Sequence, residues 1–186
     1  MIPDELWARI EPLLPVLPRR TDHPGRKRLD NRKVLSGILF VLYTGIAWEF
    51  LPQELGFGPR VTCRRRLRDW HQAGVWQKLH ELLPAEPHAT GKLDRSRAVI
   101  DRSHIRALKG GPKTGPSPVD RAKTGSKHHN IADGSGLGGH RWVIEQTVAL
   151  LHWFRRLRIR WEIRDDIHGA FMTLAAAIIC WRRLIH

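Results

Sequence analysis

Apolar residues recur at helical spacing along most of this chain, and proline and glycine mark where the helices end. Pro3-Asp4 opens the first helix and Pro15 closes it, while Asp30-Asn31 caps a second helix that runs to about Ala47. The pattern predicts further helices at about residues 60–72, 75–83 and 140–158, and a last apolar helix after Asp165-Asp166. The chain is therefore expected to be mainly helical.

The middle of the chain carries a different pattern. Residues 96–108 begin with alternating, β-branched positions, which predict a strand beginning near Arg97, and residues 127–133 can form its partner. Residues 109–124 are rich in Gly, Pro and Lys and are predicted to be an extended, mobile loop. An isolated hairpin is marginally stable in water, so helices at both ends must shield it. The expected fold class is mainly α with a small β-hairpin (α+β).

A polar stretch at residues 85–95 is predicted to be a linker between two units. It divides the chain into a helical, DNA-binding-like domain at residues 1–90 and a second domain at 91–186. The second domain then holds the hairpin at about 96–133 and helices at about 140–186. A chain of 186 residues is long enough to bury a core in this arrangement.

The net charge of the chain indicates what kind of partner it binds. The chain has 32 Lys and Arg against 18 Asp and Glu, a formal net charge of +14, which favours nucleic acid because neutralising phosphates releases counterions. Anionic membrane is the rival partner, but the longest apolar runs, 37–48 and 170–181, are shorter than the ~20 residues that span a bilayer. The start lacks the pattern of a secretory signal, so a cytoplasmic protein is expected. The chain has only two cysteines, Cys63 and Cys180, which argues against a disulfide framework or a zinc cluster.

Arginines cluster on the predicted helix at 60–72, which follows a short helical piece and a Gly-Phe-Gly-Pro turn. Helix, turn and basic helix is the helix-turn-helix order, in which the second helix enters the major groove of DNA. The alternative is a solvated basic face on an ordinary helical hairpin. Closely spaced arginines repel each other without an anion, which favours the DNA-binding interpretation. The candidate DNA-contacting residues of this helix are Arg60, Arg64, Arg65, Arg66 and Arg68.

Two lysines of the Gly-Pro-Lys loop, Lys113 and Lys123, each precede a threonine. Neither follows a glycine, so the spacing of a nucleotide-binding phosphate loop is absent and nucleotide hydrolysis is rejected. The two lysines are candidates for contact with DNA phosphates, and a plain linker is the equal alternative.

Two carboxylates stand in apolar surroundings within this basic chain. Asp101 ends the run Ala98-Val99-Ile100, and Glu145 lies inside HRWVIEQTVALLHWF, four residues after Arg141. Glu145 and Arg141 share a helix face. Glu145 is therefore either one member of an exposed ion pair or a buried functional carboxylate, and the residues alone do not favour one interpretation. Asp101 also lies near His104, His128 and His129 if the two strands pair, although their spacing fits no closed zinc pattern.

Several blocks together carry a family resemblance. They are EPLLPVLPRR, LSGILFVLYTGIAWEFLP, TCRRRLRDWHQAGVWQKLHELL, AVIDRSHIRALKGGPKTGPSPVDRAKTGSKHH and SGLGGHRWVIEQTVALLHWFRRLRIRWEIRDDIHGAF. With these blocks the chain resembles bacterial insertion-sequence transposases of the DDE class, of the IS-five type. The resemblance covers almost the whole chain.

The resemblance implies an RNase H-like catalytic domain in which three carboxylates surround two Mg²⁺ ions and act on phosphodiesters of DNA. Asp101 then matches the first aspartate, at the end of the first strand, and Glu145 the final glutamate, which a helix holds together with Arg141. Asp101 and Glu145 would be both catalytic residues and metal ligands. The implied partner is double-stranded DNA at transposon ends, with a second copy or a full-length transposase as a possible protein partner.

One block of the family pattern is missing. The family has further strands, one bearing the second aspartate, between the strand that SKHHNIAD begins and the glutamate helix, but here HNIADGSGLGGHRW runs directly from one to the other. Asp133 is a poor substitute. The resemblance therefore implies a remnant of an RNase H-like domain and a catalytically defective transposase. The alternatives are a non-enzymatic protein that binds transposon ends and represses transposition, and a decayed chain that does not fold stably.

Overall fold

The computed structural model describes residues 2–16, 22, 27–83, 98–133 and 150–184. Within those ranges the chain is mainly helical with a small antiparallel sheet, which confirms the expected α+β class. Short 3-10 turns occupy Glu11–Leu13, Trp48–Phe50 and Arg155–Leu157. The main elements are α1 (Asp4–Ile10), α2 (Asn31–Thr44), α3 (Arg60–Gln72), α4 (Val75–Leu82), β1 (Ala98–Arg106), β2 (Thr114–Pro116), β3 (Thr124–Asp133) and α5 (Asp165–Leu184).

Helix α2 shows how local sequence sets the helix ends. The Asp30 carboxylate accepts a hydrogen bond of 2.9 Å from the backbone N–H of Lys33, as predicted for an N-cap. Gly45 adopts the left-handed conformation, with φ of 73°, and its N–H donates to the carbonyl of Val41. The helix therefore ends at Thr44, slightly earlier than the predicted end at Ala47.

One hydrophobic core joins the amino-terminal helices to the carboxyl-terminal part of the chain. Trp70 of α3 meets Trp76 of α4 edge to face, with ring centroids 5.9 Å apart. Trp48 stacks on Phe171 of α5 at 5.6 Å. Residues on both sides of the predicted linker thus share this core, while the division at residues 90 and 91 itself remains a prediction. None of the described helices is long and apolar enough to cross a membrane.

The described sheet has three strands in the order β1-β3-β2, all antiparallel. The predicted pairing of the first strand with its partner is confirmed, but β3 begins at Thr124, before the predicted start at Lys127. The prediction of a wholly mobile loop at 109–124 is wrong, because Thr114–Pro116 forms strand β2. Pro116 lies in an edge strand, which is where a residue without an N–H is tolerated in a sheet.

The predicted helix at 140–158 is wrong at its carboxyl-terminal end. Residues 150–152 are helical, but Arg160 forms a parallel bridge with Ala107, and its N–H donates to the carbonyl of Arg106 at 2.9 Å. The segment therefore leaves the helix to extend the sheet at the end of β1. Most of the predicted helix and the predicted linker lie outside the described residues.

Candidate nucleic-acid interface on helix α3

Helix α3 has a buried face and an exposed face, as its sequence predicts. Cys63, Leu67 and Trp70 are buried in the core. Burial raises the pKa of the Cys63 thiol to about 11, so this cysteine stays protonated and serves packing. Residues three and four positions apart share a helix face, so the exposed side is formed by Val61, Arg64 and Arg65, with the half-buried Arg68 at its edge.

Arg66 lies on the buried face, unlike the other arginines of this helix. It is 7% exposed, donates a 2.5 Å hydrogen bond to the side-chain oxygen of Asn31 in α2, and lies over the ring of Trp70. Burial, together with repulsion from nearby Arg28, lowers the pKa of Arg66. The expectation that Arg66 contacts DNA is therefore corrected, because its guanidinium joins α3 to α2.

The other predicted arginines stay on the surface. Arg60, Arg64 and Arg65 are exposed, and no acidic residue occurs in α3 before Asp69. Arg68 is half-buried and donates to the carboxylate of Asp69 through two nitrogens, at 3.0 and 2.7 Å. We call the exposed group Arg60, Arg64 and Arg65 the arginine stripe. Its charge is uncompensated along the helix, which suits it to bind an anion.

The carboxyl-terminal half of α3 meets the start of α5. Asp166 accepts two hydrogen bonds from Arg164, at 2.9 and 2.5 Å, and these, with the nearby charge of Arg68, hold the pKa of Asp166 below its usual range. Burial lowers the pKa of His71 despite the opposing charge of Asp166. This end of the helix is therefore locally balanced in charge, and the surplus of positive charge lies at the amino-terminal end.

The two loop lysines each have an acidic neighbour. The amine of Lys113 forms an ion pair with Asp165 at 2.8 Å, which lowers the pKa of that carboxyl. The amine of Lys123 lies 3.8 Å from Asp120. Both lysines remain largely exposed, so an ion pair of this kind is weak and open to competition from phosphate.

Asp101 lies inside β1 rather than at its end, because the strand continues to Arg106. This corrects the expected position. The register pairs Asp101 with Asn130 and Ile105 with Ser126. Since strand residues alternate between faces, Asp101 belongs to the same face as Ile105 and Ser126, both of which are buried.

The register also gives the face of each histidine position near Asp101. The position of His128 falls on the same face as that of Asp101, whereas the positions of His104 and His129 fall on the opposite face. Within the described parts of the chain, no group of three His, Cys, Asp or Glu residues could hold a metal ion. Magnesium is bound by several oxygen ligands, including carboxylates, and Asp101 is the one carboxylate that the described strands place on this face. Glu145 and Arg141, the other residues predicted for the catalytic site, lie outside the described residues.

A buried group of charged residues was not predicted. Arg156 and Glu162 form an ion pair of 2.5 Å, and Arg160, 2% exposed, donates to the side chain of Ser126 at 3.1 Å. Arg160 also donates to the carbonyls of Glu162 and Ile163. Residue polarity is misleading in this segment, since Ile163 is 54% exposed while Arg156, Arg160 and Glu162 are buried.

Comparison with known proteins places the chain in a class. A family model described as "Putative transposase of IS4/5 family" matches residues 2–80. The "Insertion element IS402 uncharacterized 16.2 kDa protein" of Burkholderia cepacia is 56% identical over 119 residues, which cover 63% of this chain and 81% of that relative. The matches define a protein of the insertion-sequence transposase class.

A second relative gives the more particular assignment. The "Putative transposase for insertion sequence element IS402" of Burkholderia cepacia is 32% identical over 166 residues, which cover 77% of that protein but 48% of this chain. Much of that alignment thus has no counterpart here, which confirms the predicted internal deletion. The chain belongs to the IS4/5 family of insertion-sequence transposases, in an IS402-like, internally shortened form. No solved structure matches it significantly.

Proposed function

We propose that the protein binds double-stranded DNA at the ends of an IS402-like insertion sequence and is defective in cutting it. The observation that carries the proposal is the arginine stripe on α3. Arg60, Arg64 and Arg65 project from a helix that Arg66 anchors to α2 by its bond to Asn31. A rigid helix whose outer arginines form no ion pair within the described parts of the chain supplies phosphate contacts at little cost in conformational entropy.

The order of elements supports a helix-turn-helix-like placement of α3 in the major groove. Two glycines with positive φ, Gly56 at 70° and Gly58 at 86°, form the turn before α3. The short helical piece before the turn is the 3-10 turn Trp48–Phe50, and its connection to α3 takes residues 51–59, which is longer than the roughly 3–4-residue turn of the standard motif. The segment therefore resembles a helix-turn-helix motif in the order of its elements and in the charge of α3, but its turn is longer.

The proposed defect in cutting rests on the second aspartate. Asp133 is the last residue of β3, and its pairing with Ala98 puts its register position on the opposite face from that of Asp101. A two-metal centre would have to stabilise both the attacking and the leaving oxygen of the reaction, and one of the three carboxylates that would hold it is missing. The sheet itself, with Asp101 on its first strand, fits a remnant of an RNase H-like domain.

A second function is favoured by the kind of relative that the chain matches. One relative carries the name of a transposase and the other that of a 16.2 kDa protein of the same insertion element. A short chain that retains the basic helix can occupy transposon ends without cutting them. It would then repress the full-length transposase by competing for the same DNA.

Footprinting on DNA from the ends of the element tests the proposed binding. We expect protection that persists when Mg²⁺ is removed and in Asp101→Ala, but that is lost when Arg64 and Arg65 are both replaced by alanine. The matched control is Arg155→Ala with Arg158→Ala, which removes the same charge from exposed positions elsewhere. Equal loss of protection in both double variants would show that binding depends on net charge alone, and it would contradict the proposed interface.

Strand-transfer assays test the proposed defect. The purified chain, supplied with end DNA and Mg²⁺, should join no detectable amount of DNA to a target. Robust transfer that disappears in Asp101→Ala would contradict the defect. The assignment as repressor would be contradicted if the chain failed to lower transfer by a full-length relative at concentrations that protect the ends.

A further inference from the structure

One apolar side chain interrupts the exposed face of α3. Val61, the second residue of the helix, is 56% exposed and lies three and four positions before Arg64 and Arg65. The core of α3 is complete without it, since Cys63, Leu67 and Trp70 are buried on the other side. The position of Val61 therefore has no explanation in packing.

The surroundings of Val61 indicate what could cover it. Arg60, Arg64 and Arg65 are all exposed around it, and α3 has no acidic residue before Asp69. A partner that contacts both Val61 and these arginines would bring negative charge and a small apolar group together. Duplex DNA does so, because phosphates border a major groove in which the C5-methyl group of thymine is the principal apolar feature.

Its position along the helix agrees with this partner. Recognition helices contact base edges with their amino-terminal residues, and Val61 lies in the first turn of α3. Phosphate contacts fix orientation without carrying sequence information, so an arginine stripe alone would bind many sequences. We propose that Val61 is a specificity-determining residue that packs on the methyl group of one thymine in the transposon end. This inference rests on the proposed DNA binding.

The test begins with selection of duplexes from a random DNA pool by the intact protein. Each selected thymine is then replaced by uracil, which removes the methyl group and leaves the hydrogen-bonding edge unchanged. At one thymine we expect uracil to weaken binding about three- to fivefold, as measured by fluorescence anisotropy. Val61→Ala should weaken binding to the thymine duplex by a similar factor and should bind the thymine and uracil duplexes equally.

Two considerations separate loss of the thymine contact from unfolding of α3 and from a general loss of DNA binding. Alanine is a better helix former than valine, so Val61→Ala is not expected to unfold α3. Leu82→Ala removes another exposed apolar side chain, 51% exposed on α4, and should keep the discrimination between thymine and uracil.

The outcomes separate this inference from the proposed function. A uracil effect that persists in Val61→Ala, or the absence of any thymine preference, would overturn the role of Val61 while leaving DNA binding intact. Equal affinities of the wild-type protein and Val61→Ala for every duplex would likewise overturn the inference. Failure to bind any DNA would overturn the proposed function together with it.

Discussion

Arg156 and Glu162 form an ion pair of 2.5 Å whose side chains are 5% and 2% exposed. A second nitrogen of Arg156 donates to the carbonyls of Gly45 and Ile46, at 3.3 and 2.8 Å, where α2 has just ended. The pair thus connects the end of α2 to the segment that continues through Arg160 to the sheet. One carboxylate oxygen of Glu162 has no hydrogen-bond partner in the described part of the chain. The negative charge of Glu162 is therefore balanced by Arg156.

Removing one member of this pair should be strongly destabilising. Arg156→Met leaves the buried carboxylate of Glu162 unpaired, and we expect the free energy of unfolding to fall by about 3–5 kcal/mol. Adding Glu162→Met should restore part of the loss, because no uncompensated charge then remains. Urea denaturation measures both, with the exposed neighbour variant Arg155→Met as the control. If Arg155→Met were as damaging as Arg156→Met, the buried pair would not be the cause.

Gly111 should tolerate no side chain. Its φ is +116°, and a Cβ there would lie 2.1 Å from the carbonyl oxygen of Ile163. Gly111→Ala should therefore lower the free energy of unfolding by about 2–4 kcal/mol. The adjacent Gly110 also has positive φ, at +61°, but a Cβ there would meet nothing within 4 Å, so Gly110→Ala should cost only about 1–2 kcal/mol. Equal costs for the two variants would contradict the close approach of the loop to Ile163.

The stability of the protein should depend on the protonation of His71. Burial lowers the pKa of His71 in the folded state below its usual value of 6.5, so the unfolded chain binds a proton more readily. The neutral imidazole thus contributes stability that is present above about pH 6.5 and is lost as the pH falls toward the lower folded pKa. His71→Gln should reduce the loss of stability between about pH 7.5 and 5.5. The exposed control His152→Gln should not, and an identical pH profile in all three proteins would contradict the assignment.

Local sequence predicted much of the helical framework. The Asp30 cap and the apolar spacing of α3 and α4 each depend on residues close together in the chain, so their bounds were predicted closely. Strand β2 could not be predicted, because its pairing with β3 outweighs the Gly-Pro composition of the segment. The extension of the sheet at Arg160 depends on contacts with the Ser126 side chain and with the main-chain carbonyl of Arg106, both of which are distant in the sequence. Periodicity carries no signal for such contacts.

The candidate site was likewise only partly predictable from the sequence. The arginines of α3 were recognisable from charge, but only the contact of Arg66 with Asn31 separates the inward arginine from the outward ones. The face that Asp101 occupies followed only from the register of β1 and β3. Spacing in the sequence does not reveal register when the loop between two strands is long.

The central claim, that the outward arginines of α3 bind DNA, is tested most directly by the salt dependence of affinity. Dissociation constants for transposon-end DNA would be measured over a range of NaCl concentrations for the wild-type protein, Arg64→Ala, Arg65→Ala and Arg66→Ala. We expect Arg64→Ala and Arg65→Ala each to reduce the slope of log affinity against log salt by about 1 at unchanged melting temperature. Arg66→Ala should keep the wild-type slope but lower the melting temperature, because it removes the contact with Asn31. A wild-type slope in Arg64→Ala and Arg65→Ala, or affinity that does not depend on salt, would contradict the claim.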